Sequence, residues 1–402
     1  MNRVIIGLAE QTECFYLYDA GKIKDQIRKL RTAFPQIDFL YSIKSNSNKG
    51  VMKTVFSCGL GADAASLGEV MLAQQSGLNK ENIYFSAPGK TSQEIEQAIN
   101  RAEIIADSLT EISRISAIAG KTQRSIGIRI NPDFSFDSTA GTASKFGIDE
   151  KEALRYLQSE VPDNVRINGI HVHVKSQELN SEKLKSYYRN MLMLAENVEA
   201  VLGYQLNYIN MGSGIGIAYS ETDTEIDIDS LGKETENLFS EFRKTHPNTR
   251  LMIETGRYVV CQSGVYVTHV VDRKESHGKT YIILKNTLNG YVRPSLARMV
   301  DKYDKESSIP CEPLYSGADS FSFYAPYQDR EKEIVSLVGN LCTAADVIAE
   351  DITMPYLQTG DILVINNAGA YAAVISPIQF SSQTAPTEYL LHEDGSIETY
   401  FL

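Results

Sequence analysis

A lysine, a glycine-rich segment and several polar side chains of this 402-residue chain are of types that carry out chemistry. Lys44 follows the run Tyr41-Ser42-Ile43, where a bare ammonium would be costly to bury. Formation of a Schiff base removes that cost. For one lysine taken alone, a side chain that reaches solvent from a strand end is the more ordinary interpretation.

The segment Gly212-Ser213-Gly214-Ile215-Gly216 can direct several backbone N–H groups at one cluster of oxygens. Arg257, in Glu254-Thr255-Gly256-Arg257, adds a forked donor, and the two segments together predict a phosphate site. Taken alone, the glycines are equally well explained by a tight turn. The phosphate interpretation gains weight because loops after the last two strands of a barrel are where such folds most often bind phosphate.

Two further side chains suit an aromatic heterocycle. A carboxylate at Glu254, beside the predicted phosphate site, could keep a heterocyclic nitrogen protonated. His173 could stack on a planar ring, although a lone histidine is more often a core residue bonded to the backbone. Lysine, phosphate site, carboxylate and flat ring partner together meet the requirements of pyridoxal 5′-phosphate (PLP).

The hydrophobic pattern predicts the scaffold that must position these residues. From residue 38 onward, short β-branched runs alternate with helical patterns over roughly 220 residues, which favours a (β/α)8 TIM-like barrel over an open sheet. The predicted strands are Asp38–Lys44, Leu60–Ala65, Ile83–Ala87, Glu103–Asp107, Ser125–Asn131, Ile167–Val174, Leu206–Met211 and Arg250–Glu254. The predicted helices between them are Gly50–Cys58, Leu67–Ser76, Ser92–Arg101, Leu109–Ala119, Glu150–Ser159, Ser181–Leu202 and Leu231–Thr245. The polar residues then fall at the carboxyl ends of the strands, where such barrels hold catalytic groups.

After Glu254 the pattern changes to strands separated by polar turns, which predicts an all-β domain of the sandwich or Greek-key kind. Its predicted strands are Val259–Arg273, Lys279–Leu284, Ile334–Val338, Asp361–Asn366, Ala370–Ile375, Glu388–His392 and Ile397–Phe401. The strand-like segment Cys14–Tyr18, which precedes the first barrel helix at Lys22–Phe34, is expected to join it. We therefore predict a barrel over residues 21–258 and a β domain over 259–402 with 1–20. Asp301–Ser316 is the most loop-like stretch.

The composition argues against several other classes of protein. With 43% apolar and 22% charged residues, the chain is neither disordered nor fibrous. Its 39 basic and 51 acidic residues give a net charge of −12 without a long basic run, so neither nucleic-acid nor membrane binding is expected. The early apolar run Val4–Ala9 is too short to span a bilayer, and we expect a cytoplasmic protein. No C-x-x-C pair, and hence no metal site, is found among the scattered cysteines Cys14, Cys58, Cys261, Cys311 and Cys342.

The chain resembles the fold-type III PLP-dependent decarboxylases, which include the diaminopimelate, ornithine and arginine decarboxylases. The resemblance covers nearly the whole chain, and its segments follow one another in the family's order. They are Tyr41-Ser-Ile-Lys44-Ser-Asn46, Gly61-Ala-Asp63-Ala-Ala-Ser66, Ser144-Lys145-Phe146-Gly147, His171-Val-His173-Val-Lys175-Ser176-Gln177, Gly212-Ser213-Gly214, Glu254-Thr-Gly256-Arg257-Tyr258, Val338-Gly339-Asn-Leu-Cys342 with Asp346, and Asn367-Ala-Gly369-Ala-Tyr371.

The resemblance implies a barrel with a β domain, and a head-to-tail homodimer whose active sites lie at the interface. It also implies roles for individual residues. Lys44 would hold PLP covalently, His173 would stack on its ring and Glu254 would pair with the pyridine nitrogen. The phosphate would be held by Ser176, Gly212, Ser213, Gly214, Gly256, Arg257 and Tyr371. Asp63 and Arg129 would support the cofactor, and Cys342 of the partner subunit would protonate the carbanionic carbon.

Three departures from the family pattern bear on the substrate. Thr343 stands where diamino-acid decarboxylases usually carry an acid that pairs with a distal amine. Lys175 replaces a customary glycine, and Gln379–Gln383 differs from the Asn/Arg-bearing segment of lysine-pathway enzymes. Arg293-Pro294, in contrast, resembles the diaminopimelate decarboxylases, whose arginine grips a substrate carboxylate. A neutral residue at 343 resembles members that act on amino-acid conjugates in siderophore or antibiotic biosynthesis.

We therefore expect a decarboxylase that removes the α-carboxylate of an amino acid or amino-acid conjugate. Arg293 and Thr343 are the predicted substrate-binding residues, and Arg298 or Lys175 would add positive charge. Diaminopimelate decarboxylase is the first alternative, supported by Arg293 and opposed by Thr343. Alanine racemase shares barrel and cofactor but normally pairs the pyridine nitrogen with arginine, so Glu254 opposes it. A non-enzymatic PLP-binding homeostasis protein also has this barrel. Proteins of that class lack the second domain, so the β domain of this chain opposes this alternative.

Overall fold

The computed structural model describes residues 2–138, 140–212, 214–303 and 320–401. The helices are α1 (Asn2–Ala9), α2 (Ala20–Ala33), α3 (Lys49–Ser57), α4 (Leu67–Gln75), α5 (Ser92–Ala98), α6 (Leu109–Ala119), α7 (Glu150–Ser159), α8 (Ser181–Leu202), α9 (Ile228–Thr245), α10 (Arg257–Val260) and α11 (Val292–Tyr303). The strands of the first sheet are β2 (Asp38–Ser42), β3 (Gly61–Ala64), β4 (Ile83–Phe85), β5 (Glu103–Ala106), β6 (Arg124–Asn131), β7 (Ile148–Asp149), β8 (Val165–His171), β9 (Tyr208–Asn210) and β10 (Arg250–Thr255). Those of the second are β1 (Phe15–Asp19), β11 (Gly264–Ser276), β12 (Lys279–Leu284), β13 (Phe323–Tyr324), β14 (Lys332–Gly339), β15 (Val347–Pro355), β16 (Ile362–Ile365), β17 (Thr387–Leu391) and β18 (Ile397–Phe401).

The first sheet closes into the predicted barrel. Its strands pair in parallel in the order β2-β3-β4-β5-β6-β8-β9-β10, and β10 returns to β2 with Glu254 opposite Leu40. The short β7 adds to the outside of this ring by pairing with β6. The predicted (β/α)8 architecture is therefore confirmed, and Glu254 and Lys44 lie on neighbouring strands or just beyond their ends.

A layer of side chains from five strands fills the barrel interior. This layer consists of Leu40, Tyr84, Ile105, Tyr208 and Met252. Gly127 on β6 and Gly169 on β8 lie on two of the three remaining strands, and a Cβ atom at either position would collide with the Tyr208 side chain. The close approach of that side chain is what requires glycine at both positions.

Polar residues begin several of the helices that follow the barrel strands. The side chains of Ser66, Thr91, Ser108 and Asp227 each accept a hydrogen bond from the backbone N–H three residues later. Such caps satisfy N–H groups that would otherwise lack a partner. The helices α4 and α6 therefore start within three residues of the strands β3 and β5, whereas a longer loop separates β9 from α9.

The second sheet contains the N-terminal strand, as predicted. β1 lies between β11, its antiparallel neighbour, and β17, its parallel one. The long strand β11 pairs with different strands along its length. Its first half pairs with β1 and β16, and its second half pairs with β12. A register shift between Val270 and Asp272 marks the change. The domain boundaries at residues 20/21 and 258/259 stay a prediction.

Two predicted strands of the second domain were wrong. Ala370–Ile375 forms a turn, with Tyr371 at a φ of 51°, that runs into a 3₁₀ turn at Ala373–Ile375. Val259–Arg273 begins five residues too early, because residues 259–263 continue the helical turns after Arg257. The pattern also missed α11 and the strands β7, β13 and β15. Of the predicted loop Asp301–Ser316, residues 301–303 end α11 and the rest lies outside the described residues, as does Cys311.

Within the described residues, no helix is both long and apolar enough to cross a bilayer. The same residues contain no group of three or more histidine, cysteine or acidic side chains placed to hold a metal ion.

A buried ion pair joins the loop after β4 to the first turn of α6. Lys90 Nζ lies 2.8 Å from Glu111 Oε2, and both side chains are 1% exposed. The ammonium also donates to the carbonyl oxygens of Ala87 and Ile105. Burial lowers the pKa of Lys90, and the adjacent Glu111 carboxylate opposes that shift.

We expect Lys90→Met to lower the free energy of unfolding by about 3–5 kcal/mol, because Glu111 would keep a buried charge without its partner. Urea denaturation followed by circular dichroism measures the change. Lys244→Met is the matched control, since it removes an ion pair to Glu241 whose side chains are 66% and 70% exposed. The control should change the stability by less than about 1 kcal/mol. Equal losses in the two variants would contradict the interpretation.

Candidate active site

A small, largely enclosed cavity lies at the carboxyl ends of the barrel strands. It is lined by Ser42, Lys44, His173, Ser176, Gln177, Ile215, Gly256, Arg257 and Tyr371. The fold thus brings together residues from four barrel loops and one segment of the β domain. Six of the predicted cofactor residues are among them, namely Lys44, His173, Ser176, Gly256, Arg257 and Tyr371.

Lys44 lies in a 3₁₀ turn, Ile43–Ser45, directly after β2. Its Nζ is 3.9 Å from Oδ2 of Asp63, a carboxylate that is 1% exposed, while the lysine side chain is 38% exposed. Ser86 Oγ donates to the other Asp63 oxygen at 2.6 Å. A buried acid held by a hydroxyl therefore faces the amine, which itself reaches the cavity.

The Tyr371 segment of the β domain docks on the same turn. The Tyr371 N–H donates to the Ser45 carbonyl at 2.8 Å, and Asn46 Nδ2 donates to the Gly369 carbonyl at 2.9 Å. The Arg257 guanidinium lies 4.7 Å from the centre of the Tyr371 ring. These contacts fix the Tyr371 segment against the barrel, where Tyr371 forms part of the wall of the cavity.

Gly256 permits the last strand to approach the lysine turn. A Cβ atom at this position would lie 2.7 Å from Ser45 Oγ and 2.9 Å from Ser45 Cβ. Arg257, the next residue, is 5% exposed and donates to the hydroxyl of Tyr219. The guanidinium is thereby fixed at the cavity wall.

Glu254 is 2% exposed and is locked to the glycine-rich segment through Asn210. Asn210 Nδ2 donates to Glu254 Oε1 at 2.9 Å, and Asn210 Oδ1 accepts the Gly212 N–H at 2.9 Å. The Glu254 N–H in turn donates to the Gly212 carbonyl at 2.7 Å. The predicted ring partner and the predicted phosphate loop are therefore held in one rigid arrangement.

The glycine-rich segment uses some of its N–H groups internally. Gly212 donates to Asn210, and Gly216 donates to the Glu178 carbonyl at 3.0 Å. These two N–H groups are used within the protein, and the predicted phosphate contact of the Gly212–Gly214 loop stays a prediction. Gly212 has a φ of 63° and lies against the Val172 carbonyl, so no side chain fits there. Ser213 lies outside the described residues.

His173 and Ser176 follow β8, which ends at His171 rather than at Val174 as predicted. Their side chains are in contact, with Ser176 Oγ 3.3 Å from His173 Nε2. Both line the cavity, so a ring system and a hydroxyl are placed side by side.

Arg129 is not among the residues that line the cavity. Its guanidinium is 3.5 Å from Asp107 Oδ1 and 4.4 Å from the centre of the Phe146 ring. Burial raises the pKa of Asp107, and the Arg129 charge opposes the shift. Arg129 is therefore buried, and its role in supporting the cofactor stays a prediction.

Cys342, Thr343 and Arg293 do not line the cavity of their own chain. Cys342 is exposed, with its Sγ 3.8 Å from Ser381 Oγ, and Thr343 Oγ1 accepts the Ala345 N–H at 3.3 Å. Arg293 is fully buried and lies 5.0 Å from the centre of the Tyr219 ring.

The two additional cations are engaged with acids of their own chain. Lys175 Nζ lies 3.3 Å from Asp137 Oδ2 and 3.2 Å from Glu178 Oε2, and Arg298 pairs with Glu350. The expectation that Lys175 or Arg298 adds positive charge to a substrate is therefore weakened.

Several residues with a structural part in the site were not predicted. Tyr219 contacts Arg257, Asn210 holds Glu254, and His171 lies beside that carboxylate. His171 and Asn210 could have been found, since each lies within two residues of a predicted site residue. Nothing in the sequence distinguishes Tyr219 from the other tyrosines.

The side chains of the cavity fit PLP. An amine and a guanidinium, Lys44 and Arg257, face one space together with the hydroxyls of Ser176 and Tyr371 and the His173 ring. Amine, cation and hydroxyl groups are the partners that an aldehyde and a phosphate require. The buried Glu254 supplies the acid.

Comparisons with known proteins agree with this chemistry. Residues 20–261 match the family model for the pyridoxal-binding domain of pyridoxal-dependent decarboxylases. The chain is 35% identical over 400 residues to the L-glutamyl-[BtrI acyl-carrier protein] decarboxylase of Niallia circulans, covering 96% of this chain and 90% of that one. It is 28% identical to the 2-[(L-alanin-3-ylcarbamoyl)methyl]-2-hydroxybutanedioate decarboxylase of Staphylococcus aureus, over 93% and 92% of the two chains. The crystal structure of Helicobacter pylori diaminopimelate decarboxylase with L-lysine superposes with a TM-score of 0.80 at 27% identity, covering 96% of this chain and 93% of that one.

Proposed function

We propose a substrate class for this chain on the premise that it belongs to the pyridoxal-dependent decarboxylases. It is a PLP-dependent carboxy-lyase, and its substrate is an amino-acid moiety joined to a larger group that carries no distal amine. The observation that carries the substrate class is Thr343, a hydroxyl where an acid would recognise that amine. Membership of the family favours decarboxylation over racemisation and over a non-enzymatic role.

PLP, when bound, supplies an electron sink for the electron pair released as CO₂ leaves. Lys44 would hold it covalently, with Asp63 orienting the amine. Arg257, Ser176 and Tyr371 would bind its phosphate. His173 would stack on the ring, and the buried Glu254 would hold a proton at the pyridine nitrogen.

The charges of the predicted substrate-binding residues determine which chemical group the distal end of the substrate can carry. A buried ammonium without a carboxylate partner would cost several kcal/mol. Thr343 offers only a hydroxyl. A carboxylate stays the predicted ligand of the Arg293 guanidinium, although that side chain is fully buried and does not line the cavity of its own chain. The names of two relatives describe substrates of this kind, a glutamyl group on an acyl-carrier protein and a hydroxybutanedioate conjugate. Diaminopimelate remains the second candidate, because its distal carboxylate would also suit Arg293.

A substrate panel tests this class. We expect kcat/KM for an acidic or acylated conjugate to exceed that for ornithine or lysine by at least about 100-fold, because those two bring an unpaired ammonium. CO₂ release would be measured with ornithine, lysine, meso-diaminopimelate, citryl-diaminopropionate and a glutamyl-loaded acyl-carrier protein. Thr343→Asp should narrow the gap by improving ornithine and lysine. Highest kcat/KM for ornithine or lysine would refute the class, and highest for meso-diaminopimelate would favour the second candidate.

The exposed Cys342 supports a shared active site. It lies in the β domain and outside the cavity of its own chain, and no cysteine among the described residues lines that cavity. We propose a homodimer with two-fold symmetry, in which the partner subunit contributes its Cys342 as the acid that protonates carbon.

Mixing two inactive variants tests the shared site. After subunit exchange, Lys44→Ala and Cys342→Ala should together regain about a quarter of the wild-type activity, because half of the dimers are hybrids with one intact site of two. Differently tagged chains would confirm that hybrids form. Hybrids that remain inactive, or an active monomer in sedimentation, would contradict the model.

A further inference from the structure

His171, the last residue of β8, is a buried histidine with no explained function. It is 1% exposed, and among the described residues neither ring nitrogen has a hydrogen-bond partner. Its Nε2 nevertheless lies only 3.1 Å from Glu254 Oε1. A fully buried polar ring without hydrogen bonds is uncommon in a folded protein and calls for a reason.

The surroundings of His171 keep its ring neutral. Burial lowers the pKa of His171 well below its usual range, and the Arg129 charge lowers it further, against an opposing effect of Asp63. A neutral imidazole carries one N–H and one acceptor nitrogen. It can therefore donate to Glu254 without cancelling the negative charge of the carboxylate, which an imidazolium would do.

Glu254 Oε1 already accepts from Asn210 Nδ2 at 2.9 Å. A second donor at His171 Nε2 would approach the same oxygen from β8, the strand next to that of Asn210. The two atoms are within hydrogen-bond distance but not aligned, so a rotation of the imidazole or of the carboxylate is sufficient to form the bond.

We propose that His171 is a positioning residue, which with Asn210 forms a two-donor clamp that holds the Glu254 carboxylate in one orientation. The proposal rests on the role of Glu254 in the proposed function. Removal of the His171 donor should free the Glu254 carboxylate to turn. A carboxylate that is free to turn holds a proton at a neighbouring nitrogen less well.

Two variants of His171 distinguish the effect of its N–H donor from the effect of the shape of its ring. We expect His171→Phe to lower kcat about 10- to 100-fold, the range for loss of one donor to a charged group, with KM changed less than about two-fold. His171→Gln keeps an N–H near the position of Nε2 and should regain most of the activity. PLP content, measured after release from each protein, should stay at one per chain. Wild-type kcat in His171→Phe, or equal losses in the two variants, would overturn the proposal.

Nitrogen NMR provides a test that needs neither activity nor cofactor. The chain has six histidines, so the His171 signals can be assigned by their loss in His171→Gln. We expect a neutral ring with its proton on Nε2 in the cofactor-free protein, and a shift of that nitrogen in Glu254→Gln. A proton on Nδ1, or signals that do not respond to Glu254→Gln, would refute the clamp. If Glu254→Gln leaves kcat unchanged while the nitrogen shifts, the proposed role of Glu254 fails and the contact stands.

Discussion

Lys44→Ala is expected to reduce kcat/KM by at least about 1,000-fold, because the variant loses the amine that holds PLP covalently. The side chain is 38% exposed and lies at the rim of the barrel, so its removal should leave the fold intact. CO₂ release and circular dichroism together measure the two effects.

Lys49→Ala is the matched control for this loss. Lys49 is exposed at the start of α3, five residues along the chain from Lys44, and its replacement should leave the activity within about two-fold of wild type. Activity of Lys44→Ala within ten-fold of wild type would show that another group attaches the cofactor.

Glu254→Gln is expected to lower kcat by about 100- to 1,000-fold while PLP stays bound. Glutamine has nearly the same shape, and its amide oxygen can still accept from Asn210, so the loss reports the charge rather than the packing. Single-turnover kinetics would place the loss in the step that releases CO₂. Unchanged turnover would assign the protonation of the pyridine nitrogen to another residue.

The barrel could be predicted because each parallel strand is a short apolar run followed by a helix with a polar cap. The same pattern correctly placed Lys44, His173 and Arg257 at one end of the barrel. In the β domain, the hydrophobic pattern gave wrong strands where an apolar run forms a turn or where a strand contains charged residues. Ala370–Ile375 is apolar but forms a turn in which only Tyr371 lines the cavity. The strand β15 was missed because Glu350 and Asp351 interrupt its apolar character.

The site was predicted less completely for physical reasons. Which of His171 and His173 faces the cavity depends on where β8 ends, and the alternation of the two residues does not decide that. The use of the Gly212 N–H by Asn210 depends on a side chain two residues earlier that reaches back to the loop. The position of Cys342 relative to Lys44 depends on a second copy of the chain.

Borohydride reduction tests the assignment of Lys44 most directly. The purified protein should be yellow, and reduction should fix one pyridoxyl group per chain, which peptide mapping by mass spectrometry locates. The arrangement of Lys44, Asp63 and Arg257 predicts that the label lies on Lys44 alone. A label on any other lysine, or no label on a protein that contains PLP, would contradict it.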